Sequence, residues 1–371
     1  FPQILQAVPS NLNEVFLHDM VVKKIGGRQV MLLSYWDGGY VQLDVTNPRD
    51  VSYLSDSDFT TPDPEAAESG LTVPPEGNGH QAEFTKDNAF VIGADEDFSP
   101  YALDARNVDD GTEIDAGQGS DTEKLAPGAT ITGESVFFGR GCNGDPSAPA
   151  GDGTQIAVVE RGLCTFTEKV ANVEAVGGYT AVLIFNRTGT DGCNGSLGMS
   201  VEGDIPTFGV APRGQGFAIF DQPYDNDACL AGAGPAQLPV APGTTGDTLT
   251  FSSYFDGWGY VHLFDRATMT ELDTYAIPEA HDPAFAEGFG DLSVHEVATS
   301  HERSDLAYFS YYAGGLRVAE IRDNELVEVG AFIDEGGNNF WGVEVFSSGG
   351  TEYVAASDRD YGLYIFEYTG D

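Results

Sequence analysis

The sequence predicts a mainly β fold: a β-propeller interrupted once by a foreign α/β module. Three observations predict it. A strand-turn-strand pattern recurs five times along the chain. The recurrence is close to periodic except at one interval, which is too long by about the size of a small domain. That long interval holds all four cysteines and the one segment with helical periodicity.

The repeats come first. Val30–Tyr35 leads through Trp36-Asp37-Gly38-Gly39 into Tyr40–Val45, and Phe90–Asp95 returns as Tyr101–Asp104. Phe251–Phe255 turns at Asp256-Gly257-Trp258-Gly259 into Tyr260–Asp265. Ala307–Tyr312 turns at Ala313-Gly314-Gly315 into Leu316–Ile321, and Tyr353–Ser357 leads through Asp358–Gly362 into Leu363–Glu367. Aromatic and β-branched runs around Gly-rich turns read as hairpins. The corresponding acids are Asp44, Asp104, Asp265, Glu320 and Glu367, at separations of 60, 161, 55 and 47 residues. Three intervals fit one propeller blade each. Five blades are readable, and diverged segments leave room for a sixth. His18-Asp19-Met20, His80–Glu83, His295-Glu296-Val297 and Trp341–Glu344 precede hairpins at similar offsets, as innermost strands lining a channel would.

Asp44-Val45-Thr46-Asn47-Pro48 and Gly314-Gly315-Leu316-Arg317-Val318 resemble the unit of LVIVD-repeat propellers. The second repeat departs from it, with Phe98-Ser99-Pro100 in place of the Gly-Gly turn. The expected division is a first propeller part over 1–125, an insert over 126–240 and a second propeller part over 241–371.

Within the insert, Gln155–Glu160 reads as a strand, Thr167–Val176 has helical period, and Gly177-Gly178 supplies a C-cap. Ala181–Asn186 is a second apolar strand, expected parallel to the first through a βαβ crossover. The run from Gln155 through Arg161-Gly162-Leu163-Cys164-Thr165-Phe166 to Asn186, with Ile205–Val210 later, resembles the protease-associated (PA) domain. The resemblance implies a non-catalytic module used for protein recognition or as a lid, often attached to secreted hydrolases. It also implies the pairings Cys142–Cys164 and Cys193–Cys229. By count and clustering alone, four cysteines in one module point to two disulfides and an oxidising compartment. A four-thiolate zinc site is the rival, and no Cys-x-x-Cys pair supports it. Asn186 and Asn194 begin N-x-S/T sequons, so both are candidate glycosylation sites.

The formal net charge is −42. Its sign opposes nucleic-acid phosphates and anionic membrane surfaces. It fits a solvated surface in salt, or acidic loops that bind divalent cations. The calcium candidates are Asp95 and Asp97 in one run, and Asp109, Glu113 and Asp115 in another, though neither has EF-hand spacing. His18, His80 and His295 at matching blade positions could converge on a metal, or simply keep a hydrogen-bonding residue on each inner strand. No cofactor beyond calcium is expected. No His-Glu-x-x-His, Gly-x-Ser-x-Gly or Walker-type loop occurs, so no enzyme is expected.

No apolar run of membrane-spanning length is present, so no membrane insertion is expected. A chain opening at Phe1 fits a cleaved precursor or a trimmed chain. The opening segment carries Phe1, Ile4, Leu5 and Val8, with no charged side chain before Glu14. Such a segment closes its own propeller or adds as a strand to a neighbouring copy, which builds a filament. The leading expectation is therefore a secreted or cell-surface structural protein whose partner is itself. A soluble module binding proteins or glycans through the PA domain is the alternative, and a metal-dependent propeller enzyme the third.

Overall fold

The computed structural model describes residues 16–57, 78–193, 197–210, 212–235 and 237–370. The Pro- and Glu-rich stretch over 60–79 falls mostly outside them. The chain is mainly β and divides into two compact units. One gathers the described residues of Glu14–Pro100 and Asp256–Asp371, and the other contains Tyr101–Phe255.

The first unit opens with an antiparallel meander of β1 (Leu17–Ile25), β2 (Arg28–Tyr35), β3 (Gly39–Asp44) and β4 (Ser52–Asp56). A second sheet begins with β5 (Gly79–Phe84) and β6 (Phe90–Asp95). The chain then enters the second unit through β7 (Tyr101–Asn107), β8 (Ala116–Gln118) and β9 (Asp121–Thr122). It continues with β10 (Thr130–Gly139), β11 (Gln155–Glu160), α1 (Phe166–Val176) and β12 (Tyr179–Phe185). Next come α2 (Thr190–Cys193), β13 (Glu202–Gly203), β14 (Thr207–Val210), α3 (Arg213–Ala218), α4 (Asn226–Leu230) and β15 (Thr245–Phe255). The second sheet is then completed by β16 (Val261–Asp265) and β17 (Glu271–Tyr275), in the order β17-β16-β6-β5. A third sheet holds β18 (Glu296–Thr299), β19 (Leu306–Tyr311), β20 (Gly315–Arg322) and β21 (Glu325–Phe332). A fourth holds three strands among the described residues: β22 (Phe340–Ser348), β23 (Thr351–Asp358) and β24 (Gly362–Phe366).

This pairing corrects the reading of five separate hairpins. Phe90–Asp95 and Val261–Asp265 are neighbours in one sheet, with Ile92 opposite Leu263. Tyr101–Asn107 instead pairs with Leu249–Phe255 in the inserted unit. Repeats two and three are thus two halves of one sheet, and the described residues of the first unit hold four sheets where five or six blades were expected. The Phe98-Ser99-Pro100 departure has its cause here: no tight turn is needed where the chain leaves the sheet. The inserted unit runs over 101–255 rather than 126–240 because its flanking strands join its own sheet.

The sheets of the first unit pack face to face in succession. Leu32, Phe84, Val91 and Phe264 fill the space between the first and second, and Ile92, Leu263, Val297 and Phe309 that between the second and third. Tyr308, Val318, Val343 and Val354 lie between the third and fourth. Each fully buried side chain of this kind contributes about 1.5–3 kcal/mol. Gly93 is required on β6: a Cβ there would lie 2.4 Å from the ring of Tyr40. The Tyr40 hydroxyl donates to Ala94 O at 3.0 Å and to Asp95 Oδ1 at 2.7 Å, tying the first sheet to the second.

The second unit is built on a seven-stranded mixed sheet, order β7-β15-β10-β11-β12-β14-β8, that nearly closes on itself. β10, β11, β12 and β14 run parallel, as the crossover reading expects. Thr165 caps α1 by accepting from Glu168 N at 3.2 Å, and Gly177 ends it at φ +76°. Val170 and Val173 bury the helix against the strands. Cys142 is joined to Cys164 and Cys193 to Cys229.

Candidate functional site

The first strands of the four sheets lie side by side in the order β1, β5, β18 and β22. This places His18, His80, His295 and Trp341 in a row of rings. Centroids are 4.1 Å apart for His18–His80, 4.3 Å for His80–His295 and 4.2 Å for His295–Trp341. His18 Nδ1 donates to His80 O at 3.0 Å but is exposed, whereas His80 and His295 are 5% and 2% exposed.

The acid that joins the two buried histidines is Glu96, just beyond β6. Its Oε2 lies 3.5 Å from His80 Nε2, and its Oε1 lies 3.7 Å from His295 Nε2. Tyr312 donates its hydroxyl to Glu96 Oε1. His295 Nδ1 donates to Trp341 O at 2.7 Å, which fixes the tautomer and leaves Nε2 as the basic nitrogen. His80 Nδ1 is buried with no hydrogen-bond partner. Burial, with the neighbouring His295 and His18, lowers His80 to about 3. Burial likewise lowers His295 to about 4, against its bond to Trp341. Both imidazoles are neutral at physiological pH, the form that binds metals. Burial raises Glu96 above the usual carboxylate range.

One to three residues further along the same four strands lies a polar cavity of about 280 Å³, lined by Asp19, Glu83, Glu296 and Glu344, one acid per sheet. Burial, then the Glu344 charge, pushes Glu83 up to about 7.

The structure separates the expected calcium residues. Asp95 turns inward, between Tyr40 and His262, with His262 Nε2 2.6 Å from its Oδ2. Glu271 lies 3.0 Å from the other ring nitrogen. Burial opposes charge on His262, but the Asp95 and Glu271 carboxylates outweigh it and hold the imidazolium to about 10. Asp97 accepts from Ser99 N at 2.9 Å. In the other run, Asp109 accepts from Thr248 N at 2.6 Å, Glu113 bridges to Arg106, and Asp115 N donates to Gln215. Among the described residues neither run brings three His, Cys, Asp or Glu ligand atoms within 4.8 Å of one another.

Asn186 is corrected as a glycosylation site. It is fully buried, its Oδ1 accepts from Arg161 at 2.7 Å, and its backbone O accepts from Arg213. A glycan has no room there. Asn194 lies outside the described residues, as do Phe1, Ile4, Leu5 and Val8.

Sequence reasoning missed the Glu96 partnership and His262. A signal for the latter existed: His262 and Arg317 each stand three residues before the acid of their repeat, Asp265 and Glu320, as buried polar residues between apolar neighbours.

Residues 129–219 match the PA domain family, so the inserted unit contains a PA domain. No curated protein matches the chain. Among solved structures, the chain is similar to a zinc aminopeptidase from Bacillus subtilis at 17% identity and a TM-score of 0.30, over 47% of this chain and 35% of that one. It is similar to the subtilisin-like protease Apa1 from the Antarctic psychrotroph Pseudoalteromonas sp. AS-11 at 13% identity and a TM-score of 0.26, over 48% and 38%. The chain spans little more than a third of the length of those structures.

Proposed function

We propose that this chain is an extracellular, non-catalytic structural protein that assembles with copies of itself: a β-propeller of LVIVD type that carries a PA domain in one blade. The observation that supports assembly is the outer edge of the fourth sheet. The other three sheets have four strands, whereas this one ends at β24 among the described residues, with Leu363 68% and Ile365 58% exposed. An unpaired apolar edge is a template for strand addition. The segment Phe1–Pro9, with Phe1, Ile4, Leu5 and Val8 and no charge, has the composition of an added strand. Supplied by a neighbour, it makes a head-to-tail contact that repeats without closing. Two disulfides suit an oxidising compartment outside the cell.

Removing residues 1–9, or making Leu363→Lys with Ile365→Lys, is expected to leave a folded monomer where the full chain forms polymers under negative stain. Adding salt is expected to strengthen assembly of the full chain, since copies of charge −42 repel until screened. Polymers that persist without residues 1–9 would sink the proposal. So would a deletion that unfolds the first unit, since that would place the segment within its own fourth sheet.

The PA domain at 129–219 favours a second reading, recognition of other proteins by the inserted unit. An assembly decorated by such modules satisfies both.

A further inference from the structure

We propose that His80, Glu96 and His295 form a binding site for a zinc-class dication that pins the second sheet to the third. The donors come from three separate segments: β5, the residue after β6, and the residue before β18. One ligand atom from each lies within 4.8 Å of the other two, and all three side chains are buried.

The spacing is close to what the ion needs. Bonds of about 2.0–2.1 Å in a tetrahedron place ligand atoms about 3.4 Å apart. The two His–Glu separations are 3.5 Å to Oε2 and 3.7 Å to Oε1 of one carboxylate, and all three ligand atoms lie within 4.8 Å of one another, so rotation of the carboxylate and rotamer shifts that bring the donors together close the site. The supporting contacts are already in place. Trp341 O fixes the tautomer of His295, and Tyr312 fixes the Glu96 carboxylate. Such outer partners orient ligands in known metal sites.

The donor set selects the ion. Two imidazole nitrogens and one carboxylate suit zinc and its transition-metal neighbours, whereas calcium needs six to eight oxygens. His18, expected as a third histidine ligand, is outside the group, and Glu96 takes its place. Three protein ligands leave a fourth position for water.

The test uses the full chain, stripped with chelator and dialysed against zinc or cobalt(II) in excess magnesium, which occupies the acidic surface. The wild type is expected to retain one equivalent of zinc, to show the visible absorption of four-coordinate cobalt, and to melt several degrees higher with zinc. His295→Gln and Glu96→Gln are expected to lose at least tenfold in zinc affinity, while His301→Gln retains it. Tryptophan fluorescence reports whether each variant is folded. If the variants do not fold, X-ray absorption of the zinc-loaded wild type decides: two imidazoles and one carboxylate support the site, and an all-oxygen shell overturns it. Zinc content below a tenth of an equivalent, or content unchanged in folded His295→Gln, also overturns it.

Discussion

Replacing Arg213 with Met is expected to destabilise the inserted unit by about 3–5 kcal/mol, because it leaves a buried carboxylate without its cation. Arg213 and Glu160 are each 1% exposed, and Arg213 Nη2 lies 2.6 Å from Glu160 Oε1. The guanidinium also donates from Nη1 to Asn186 O at 2.7 Å and lies over the rings of Phe217 and Phe185 at 5.0 and 5.6 Å. Glu160 Oε2 accepts from Leu238 N at 3.3 Å. One side chain therefore joins the ends of β11 and β12 to α3, where the parallel strands deliver their polar termini. For a unit of this size the loss corresponds to a melting shift on the order of 10 °C. Arg213→Lys is expected to fail as a rescue, since a lysine cannot make the forked contacts. Arg213→Met with Glu160→Leu is expected to recover part of the loss, because removing both charges removes the orphan.

The readout is built into the sequence. Among the described residues α1 to α4 all lie within Tyr101–Phe255, whereas the three tryptophans, Trp36, Trp258 and Trp341, lie in the other unit. The helical circular dichroism transition should move while the tryptophan transition stays. A helical transition at its wild-type temperature would show that the pair contributes nothing to stability.

The PA-like crossover was legible because its signals are local. A β-branched strand, a capped helix, a Gly-Gly stop and a second apolar strand follow within about thirty residues, and their parallel pairing is dictated by the crossover. The sheets of the first unit were legible as hairpins for the same reason. Their partnership was not, because β6 and β16 pair across the whole inserted unit, and no local pattern distinguishes a partner 170 residues away from the next apolar run. Tyr101–Asp104 looked like the return of Phe90–Asp95 because both alternate correctly. The Phe98-Ser99-Pro100 break was the sign that the chain leaves there. The row of His18, His80 and His295 followed from repeat position alone, yet Glu96 joined it from the strand end where acidic runs read as solvated loop. Asp95 and Glu96 are adjacent, and the extended backbone sends them to opposite faces, one to His262 and one to His80 and His295.

Glu83→Gln is expected to stabilise the first unit, increasingly so as pH rises. Glu83 shares the 280 Å³ cavity with Asp19, Glu296 and Glu344, and the Lys23 charge and a backbone hydrogen bond at Phe84 oppose them only in part. Burial and the Glu344 charge raise its folded pKa to about 7, against 4.5 when unperturbed. The folded state therefore holds a proton on Glu83 between those values that the unfolded state has lost. Its contribution to stability is full below pH 4.5 and disappears as pH rises through 7. Glutamine keeps the shape of the protonated acid and does not titrate. The variant should match the wild type near pH 4.5 and exceed it by about 3 kcal/mol above pH 7, as 2.5 units at 1.36 kcal/mol each require. Urea titrations followed by tryptophan fluorescence at pH 5 and pH 8.5 measure the difference. A gain of the same size at both pH values would mean that Glu83 does not carry a raised pKa, and the crowding of four acids along the inner strands would then be relieved by some other group.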